Sequence, residues 1–215
     1  MIGCVIQDRL IAAPDRIACR FIAGGGEVAL TQAALAGMAS DAARRVAALE
    51  LPPRSVVGIA QYSGPALHAT WLGVLWAGHV PAMLAPPSPR MEPSKYAAGL
   101  AGIIGGLKLG ALFVDEHSFA GLGHLSEATR LVQSASLNSH APLFKAVEIG
   151  ADDVAILQHS SGTTGQQKAV ALTAAEILSH QAAYGERLGL ATSDKIVSWL
   201  PLYHDMGFVA AFLQP

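Results

Sequence analysis

Apolar and polar positions along the chain change period several times, and each change marks an element. Residues 3 to 13 carry apolar positions at helical spacing, ended by Pro14-Asp15. Ile17 to Ile22 then reads as a strand, Gly24-Gly25-Gly26 as a turn and Glu27 to Leu30 as the returning strand. Thr31 opens a long alanine-rich helix to about Leu49, with Asp41, Arg44 and Arg45 on its wet face and Pro52-Pro53 as its stop. Val56 to Ala60 is a short buried strand, Gly64-Pro65 opens a helix through Trp76, and Val80 to Leu84 is the next strand. The proline-dense run Ala85 to Arg90 is a surface loop. Pro93 suits the first position of a helix to Leu107, since Tyr96, Leu100, Ile103, Ile104 and Leu107 share one face. Ala111 to Val114 is again strand-like.

Beyond it the pattern weakens. Residues 117 to 142 show only a short helical pattern around Leu125 to Val132, and Leu143 to Ile149 reads as a further strand. Two short buried strands then flank a polar loop, Asp153 to Gln158 before it and Ala169 to Leu172 after it. Thr173-Ala174-Ala175-Glu176 is a capping box that starts the following helix, and Met206 to Leu213 reads as a last helix with an apolar face. Strand and helix alternate through most of the chain. That predicts an α/β fold of mainly parallel strands with crossover helices, preceded by an N-terminal hairpin.

The loop between the two late strands is Ser160-Ser161-Gly162-Thr163-Thr164-Gly165-Gln166-Gln167-Lys168. Two glycines permit a tight turn whose N–H groups can converge on an anion, four hydroxyls add donors, and one lysine adds positive charge. Such a loop suits a polyphosphate. It is not a Walker A loop, which runs from a strand into a helix with the spacing G-x-x-x-x-G-K-[ST]. Here the glycines and lysine are spaced G-x-x-G-x-x-K, and Ala169 stands where the metal-binding hydroxyl would be. An ordinary Ser/Gly/Thr turn is the plainer alternative.

Ser-Ser-Gly-Thr-Thr-Gly-x-x-Lys resembles the signature loop of the adenylate-forming superfamily, which holds acyl- and aryl-CoA synthetases, fatty acyl-AMP ligases and nonribosomal peptide adenylation domains. Ser198-Trp199-Leu200-Pro201-Leu202-Tyr203-His204-Asp205-Met206-Gly207 is similar to the stretch of the acyl-activating branch that carries a histidine beside the acyl and thioester channel. Two departures are small: Gln167 sits where proline is usual and Ala169 where glycine is usual.

The resemblance implies ATP-dependent activation of a fatty or other hydrophobic carboxylic acid to an acyl-adenylate, with release of pyrophosphate. Thioester formation on coenzyme A or on the phosphopantetheine arm of an acyl carrier protein would follow. ATP would arrive with Mg2+, and its phosphates would meet Ser160, Ser161, Gly162, Thr163, Thr164, Gly165 and Lys168. His204 and Asp205 would face the acid substrate, although His204 could instead cap a helix or bond a backbone carbonyl. The family's large domain is longer than 215 residues, so residues 1–215 are expected to be a truncated, partial N-terminal AMP-binding domain that lacks the C-terminal lid domain. No catalytic residue is assigned within it, and the chain alone is expected to be inactive. A non-catalytic nucleotide-binding or interaction module is the alternative.

Composition narrows the remaining classes. Fourteen basic residues against 16 acidic, with no basic stripe, argue against nucleic acid. Hydrophobic content is 52%, but the best membrane candidate, Ala66 to Ala85, is interrupted by His68, Gly73, Gly78, His79 and Pro81, so no transmembrane segment is expected. Cys4 and Cys19 read as reduced thiols, and no secretory leader is visible, which together suggest a cytoplasmic protein. The triple glycine at 24 to 26 lacks hydroxyls or a lysine and reads as a turn. Asp115-Glu116-His117 at a strand end offers too few convergent ligands for a metal site. Neither G-x-S-x-G nor G-x-G-x-x-G after a strand occurs, which sets aside hydrolase and dinucleotide readings.

Overall fold

A computed structural model describes residues 1–159 and 169–215. The chain begins with α1 (Ile2–Ala12) and a two-stranded antiparallel hairpin, β1 (Ile17–Ala23) with β2 (Gly26–Thr31). Gly24 and Gly25 turn the hairpin with positive φ, which explains the triple glycine as a turn. Thr31 then caps α2 (Gln32–Ala47) by accepting the Ala34 N–H at 3.1 Å.

The next elements are β3 (Val56–Ala60), α3 (Pro65–Trp76), β4 (Val80–Met83), α4 (Pro93–Leu107) and β5 (Ala111–Val114). A short α5 (Glu116–Phe119) and a 3-10 segment (Ala120–Glu127) lead to β6 (Arg130–Gln133). After β7 (Val154–His159) and β8 (Ala169–Thr173) come α6 (Ala174–Leu188) and a π-wound segment, Gly207–Leu213. The main sheet has six strands in the order β6-β5-β3-β4-β7-β8, parallel except for β8, which runs antiparallel to β7.

Period-2 alternation sorts the strand side chains onto two cores. Val57, Ile59, Ala111 and Phe113 join the cluster that holds α1, α2 and α3. Ala60, Leu112 and Val114 face the other way, against Tyr96, Leu100 and Ile104 of α4. Helix α3 is apolar around its circumference because it is covered on all sides: Leu67, Trp71, Leu72, Val74, Leu75 and Trp76 are all buried. It packs tightly on α2 at Gly73, where an added Cβ would lie 2.5 Å from the Ala42 Cβ.

Three expectations are corrected. The helical pattern at 125–132 is a 3-10 turn followed by β6, because Arg130 to Gln133 pairs with the open edge of β5 and tertiary pairing overrides a weak local pattern. Leu143 to Ile149 forms no strand. Side chains and a helix end satisfy its backbone instead: Gln7 donates to the Phe144 carbonyl at 2.7 Å and accepts the Ala146 N–H at 3.1 Å, while Val147 N donates to the Trp76 carbonyl at 2.8 Å. The wet face of α2 is also partly covered. Arg44 bonds the Pro142 carbonyl, Arg45 bonds Asp41 at 2.8 Å and the Ser136 carbonyl at 2.9 Å, and Asp41 accepts the Asn138 N–H at 3.1 Å. The Met206–Leu213 helix is present with its last seven residues in π winding.

Cys4 and Cys19 are free thiols, and burial pushes the Cys19 thiol up to about 11. Among the described residues no helix is long and apolar enough to cross a membrane.

Candidate functional site

In an open parallel sheet, ligands collect outside the carboxyl ends of the strands, where the strand order reverses direction. Here β4 lies on one side of β3 and β5 on the other, so the reversal falls beside β3. The Ser/Gly/Thr sequence 160–168 follows the carboxyl end of β7, which is parallel to β4 with Leu157 opposite Ala82. Its two flanking residues, His159 and Ala169, are register partners across β7 and β8. Strand therefore precedes and follows the loop, as the apolar runs indicate. Ser160, Ser161, Gly162, Thr163, Thr164, Gly165 and Lys168 lie outside the described residues.

Helix α6 begins only after β8. Thr173 Oγ1 accepts the Glu176 N–H at 3.2 Å, and the Glu176 carboxylate accepts the Thr173 N–H at 2.8 Å, which completes the expected capping box. These Thr173 bonds hold the Glu176 carboxyl below its ordinary range.

His204 and Asp205 sit in a turn entering the terminal helix, and both are exposed. The His204 N–H donates to the Pro201 carbonyl at 3.1 Å, and the His204 carbonyl accepts the Phe208 N–H at 2.9 Å. Its ring lies 4.8 Å from that of Tyr203, centroid to centroid. Asp205 Oδ1 accepts the Met206 N–H at 2.7 Å, at the start of the helix where a negative charge is favourable.

This turn is fixed to the rest of the molecule in three ways. Gln158, in β7, donates to the Tyr203 carbonyl at 2.9 Å, and Gln181 in α6 donates to the Val209 carbonyl at 3.1 Å. Phe208 and Phe212 pack on Trp71 with ring centroids 5.5 and 5.0 Å apart, and Phe212 also meets His68 at 4.7 Å. His68 is thereby enclosed between Phe212 and Phe21, and burial pulls its imidazole down to about 4, against a smaller opposing effect of the Gly64 carbonyl.

Two residues beside the loop escape the motif reading. Gln158 is a buried polar residue, and the signal for it was a glutamine in an otherwise apolar strand. His159 ends β7, and burial lowers its pKa below the ordinary imidazole range. Its Nδ1 is buried without a partner among the described residues.

The carboxyl ends of β3, β5 and β6 form a separate crevice lined by Tyr62, Asp115, Glu116, His117 and Ser134. Asp115 accepts the Tyr62 N–H at 2.7 Å, yet burial still raises its carboxyl above the usual range. Among the described residues no group of three or more His, Cys, Asp or Glu side chains could hold a metal.

Comparison with known proteins adds to this geometry. Residues 6–215 match the family model described as "AMP-binding enzyme". The Mycobacterium tuberculosis protein Rv1013 is 32% identical over 154 residues, covering 70% of this chain and 27% of its own. The medium-chain-fatty-acid–[acyl-carrier-protein] ligase JamA of Moorena producens is 27% identical over 164 residues, covering 68% of this chain and 26% of its own. The crystal structure of the fatty acyl-adenylate ligase from L. pneumophila, in complex with acyl adenylate and pyrophosphate, superposes with a TM-score of 0.86 at 22% identity. It shares the fold over 99% of this chain, which spans 37% of that chain. The chain thus spans about a quarter of the length of the curated relatives just named.

Proposed function

The chain belongs to the AMP-binding enzyme family, and from that premise we propose that the polypeptide carrying it activates a fatty or other hydrophobic carboxylic acid with ATP. A carboxylate oxygen attacks the α-phosphorus, the bond from that phosphorus to the bridging β-oxygen breaks, and pyrophosphate leaves. The product is an acyl-adenylate. A thiol, on coenzyme A or on a carrier protein's phosphopantetheine arm, then attacks the acyl carbonyl and AMP departs.

The observation that carries this reading is the family match across both motifs, combined with the bond from Gln158 to Tyr203. That bond ties the strand leading into the phosphate loop to the turn that bears His204.

Charge explains the loop's task. The nucleophile and ATP are both anionic, so attack needs preorganised donors around the phosphates. Thr163, Thr164 and Lys168 are the principal side chains we assign to this, with the N–H groups near Gly162 and Gly165 and the hydroxyls of Ser160 and Ser161 in support. ATP enters as its magnesium complex, as substrate. His204 is assigned to the acyl side, near the adenylate carbonyl, with Asp205 beside it. The fatty-acid class is supported by a relative named as a medium-chain-fatty-acid ligase.

The 215 residues span 27% of Rv1013 and 37% of the L. pneumophila ligase chain, so the activity is proposed for the polypeptide that carries them. A cytoplasmic location fits its free thiols.

Pyrophosphate release tests this. The polypeptide as its gene encodes it is assayed with ATP and a panel of fatty, aryl and amino acids. Release that depends on a fatty acid supports the proposal; ATP binding without release for any acid favours a non-catalytic nucleotide-binding module.

A further inference from the structure

We propose that Gln158 is a positioning residue that fixes His204 relative to the carboxyl end of β7, an inference that rests on the functional reading above. Strand alternation puts Gln158 on the same face as Ile156, which is 1% exposed. Gln158 itself is only 7% exposed. An amide buried at such a position is strongly unfavourable unless bonded. Its bond goes to the Tyr203 carbonyl, 45 positions along the chain.

That carbonyl belongs to the peptide unit joining Tyr203 to His204. The N–H of the same unit donates to the Pro201 carbonyl at 3.1 Å. Because the unit is planar, holding both its polar atoms fixes the direction in which the chain enters His204. The Pro201–Gly207 turn is itself tight, since a Cβ on Gly207 would collide with the Pro201 carbonyl. Among the described residues, the bond from Gln158 is the one that reaches this turn from the sheet; the bond from Gln181 reaches Val209, beyond His204.

Gln158 stands two residues before Ser160. One side chain therefore couples the strand that feeds the phosphate loop to the turn that presents His204. Its loss should leave ATP capture intact and spoil the alignment of His204 with the acid.

Two isosteric variants test this in the polypeptide as its gene encodes it. Gln158→Met removes the donor. Gln158→Glu restores a donor only when its carboxyl is protonated, which burial favours as pH is lowered. The expected result for Gln158→Met is about a tenfold fall in kcat for acid-dependent pyrophosphate release, with KM for ATP essentially unchanged. Gln158→Glu should match it at high pH and recover as pH falls, whereas Gln158→Met should not recover.

Hydrogen exchange, which needs no turnover, is read on the same proteins. The His204 and Phe208 amides should lose protection in Gln158→Met while the amides of β3 and β5 keep theirs. Unchanged exchange at His204 and Phe208, or wild-type kcat in Gln158→Met, would overturn the inference. Wild-type protein silent with every acid, alongside lost protection at His204, would instead overturn the functional reading and support the tie.

Discussion

Replacing Gly73 by alanine sets two effects of opposite sign against each other. Gly73 lies inside α3, where alanine is favoured over glycine by about 1 kcal/mol on helix propensity. Against this, the added Cβ would stand 2.5 Å from the Ala42 Cβ, 2.8 Å from the Ala43 nitrogen and 2.9 Å from the Ala42 carbonyl carbon. Two of those atoms are backbone and cannot rotate away, and Ala42 and Ala43 are fully enclosed. The helices must separate. Overpacking of a filled core costs about 1–3 kcal/mol, and the loss of the close α2–α3 fit falls in the upper part of that range, for a net destabilisation of about 1–2 kcal/mol. In a chain of this size that lowers Tm by about 2–8 °C. Gly99 in α4 supplies the contrast, because no atom lies within 4 Å of a Cβ built there. Gly99→Ala should gain about 0.5–1 kcal/mol. Urea unfolding of both variants beside the wild type gives the answer. A Gly73→Ala protein as stable as the wild type, or more so, would refute the account of α2–α3 packing.

Three further predictions concern charge and the site. Lys168→Ala removes a charge-assisted contact, so kcat/KM for ATP should fall by roughly 1.5–3 kcal/mol in transition-state terms; unchanged ATP dependence in steady-state kinetics would remove Lys168 from the site. His204→Ala should alter acid selectivity or acyl transfer while leaving the free energy of urea unfolding within about 0.5 kcal/mol of wild type, because the side chain is exposed; wild-type kinetics across several acids would contradict its role. His68 makes stability depend on pH. Its folded pKa, about 4, lies below the ordinary value of 6.5, so the unfolded chain binds the proton more tightly and its contribution, complete above about 6.5, is lost as pH falls toward about 4. Chemical denaturation across that window should show a decline that His68→Phe flattens; an identical slope in the variant would mean that the ring is not enclosed.

Much of the fold could be read from the sequence because strong periodicity and local chemistry agreed. The hairpin turn at Gly24-Gly25, the Thr31 and Thr173 caps and the strand–helix alternation from Val56 to Val114 are each fixed by neighbours in sequence. What failed depended on distant partners. Arg130 to Gln133 becomes a strand only because β5 offers an open edge, and Leu143 to Ile149 is held by Gln7 and Trp76 rather than by a neighbouring strand. The reach of Arg44 and Arg45 to the 136–142 segment is equally non-local. At the site, the motifs pointed to residue types. They did not reveal the bond between Gln158 and Tyr203, since nothing near either residue in sequence indicates the other.

The most direct test of the central claim is acid-dependent pyrophosphate release by the polypeptide as its gene encodes it, with ATP and a series of carboxylic acids. The account predicts release that requires a fatty or similar hydrophobic acid and weakens in Lys168→Ala. ATP binding with no pyrophosphate release for any acid would contradict it.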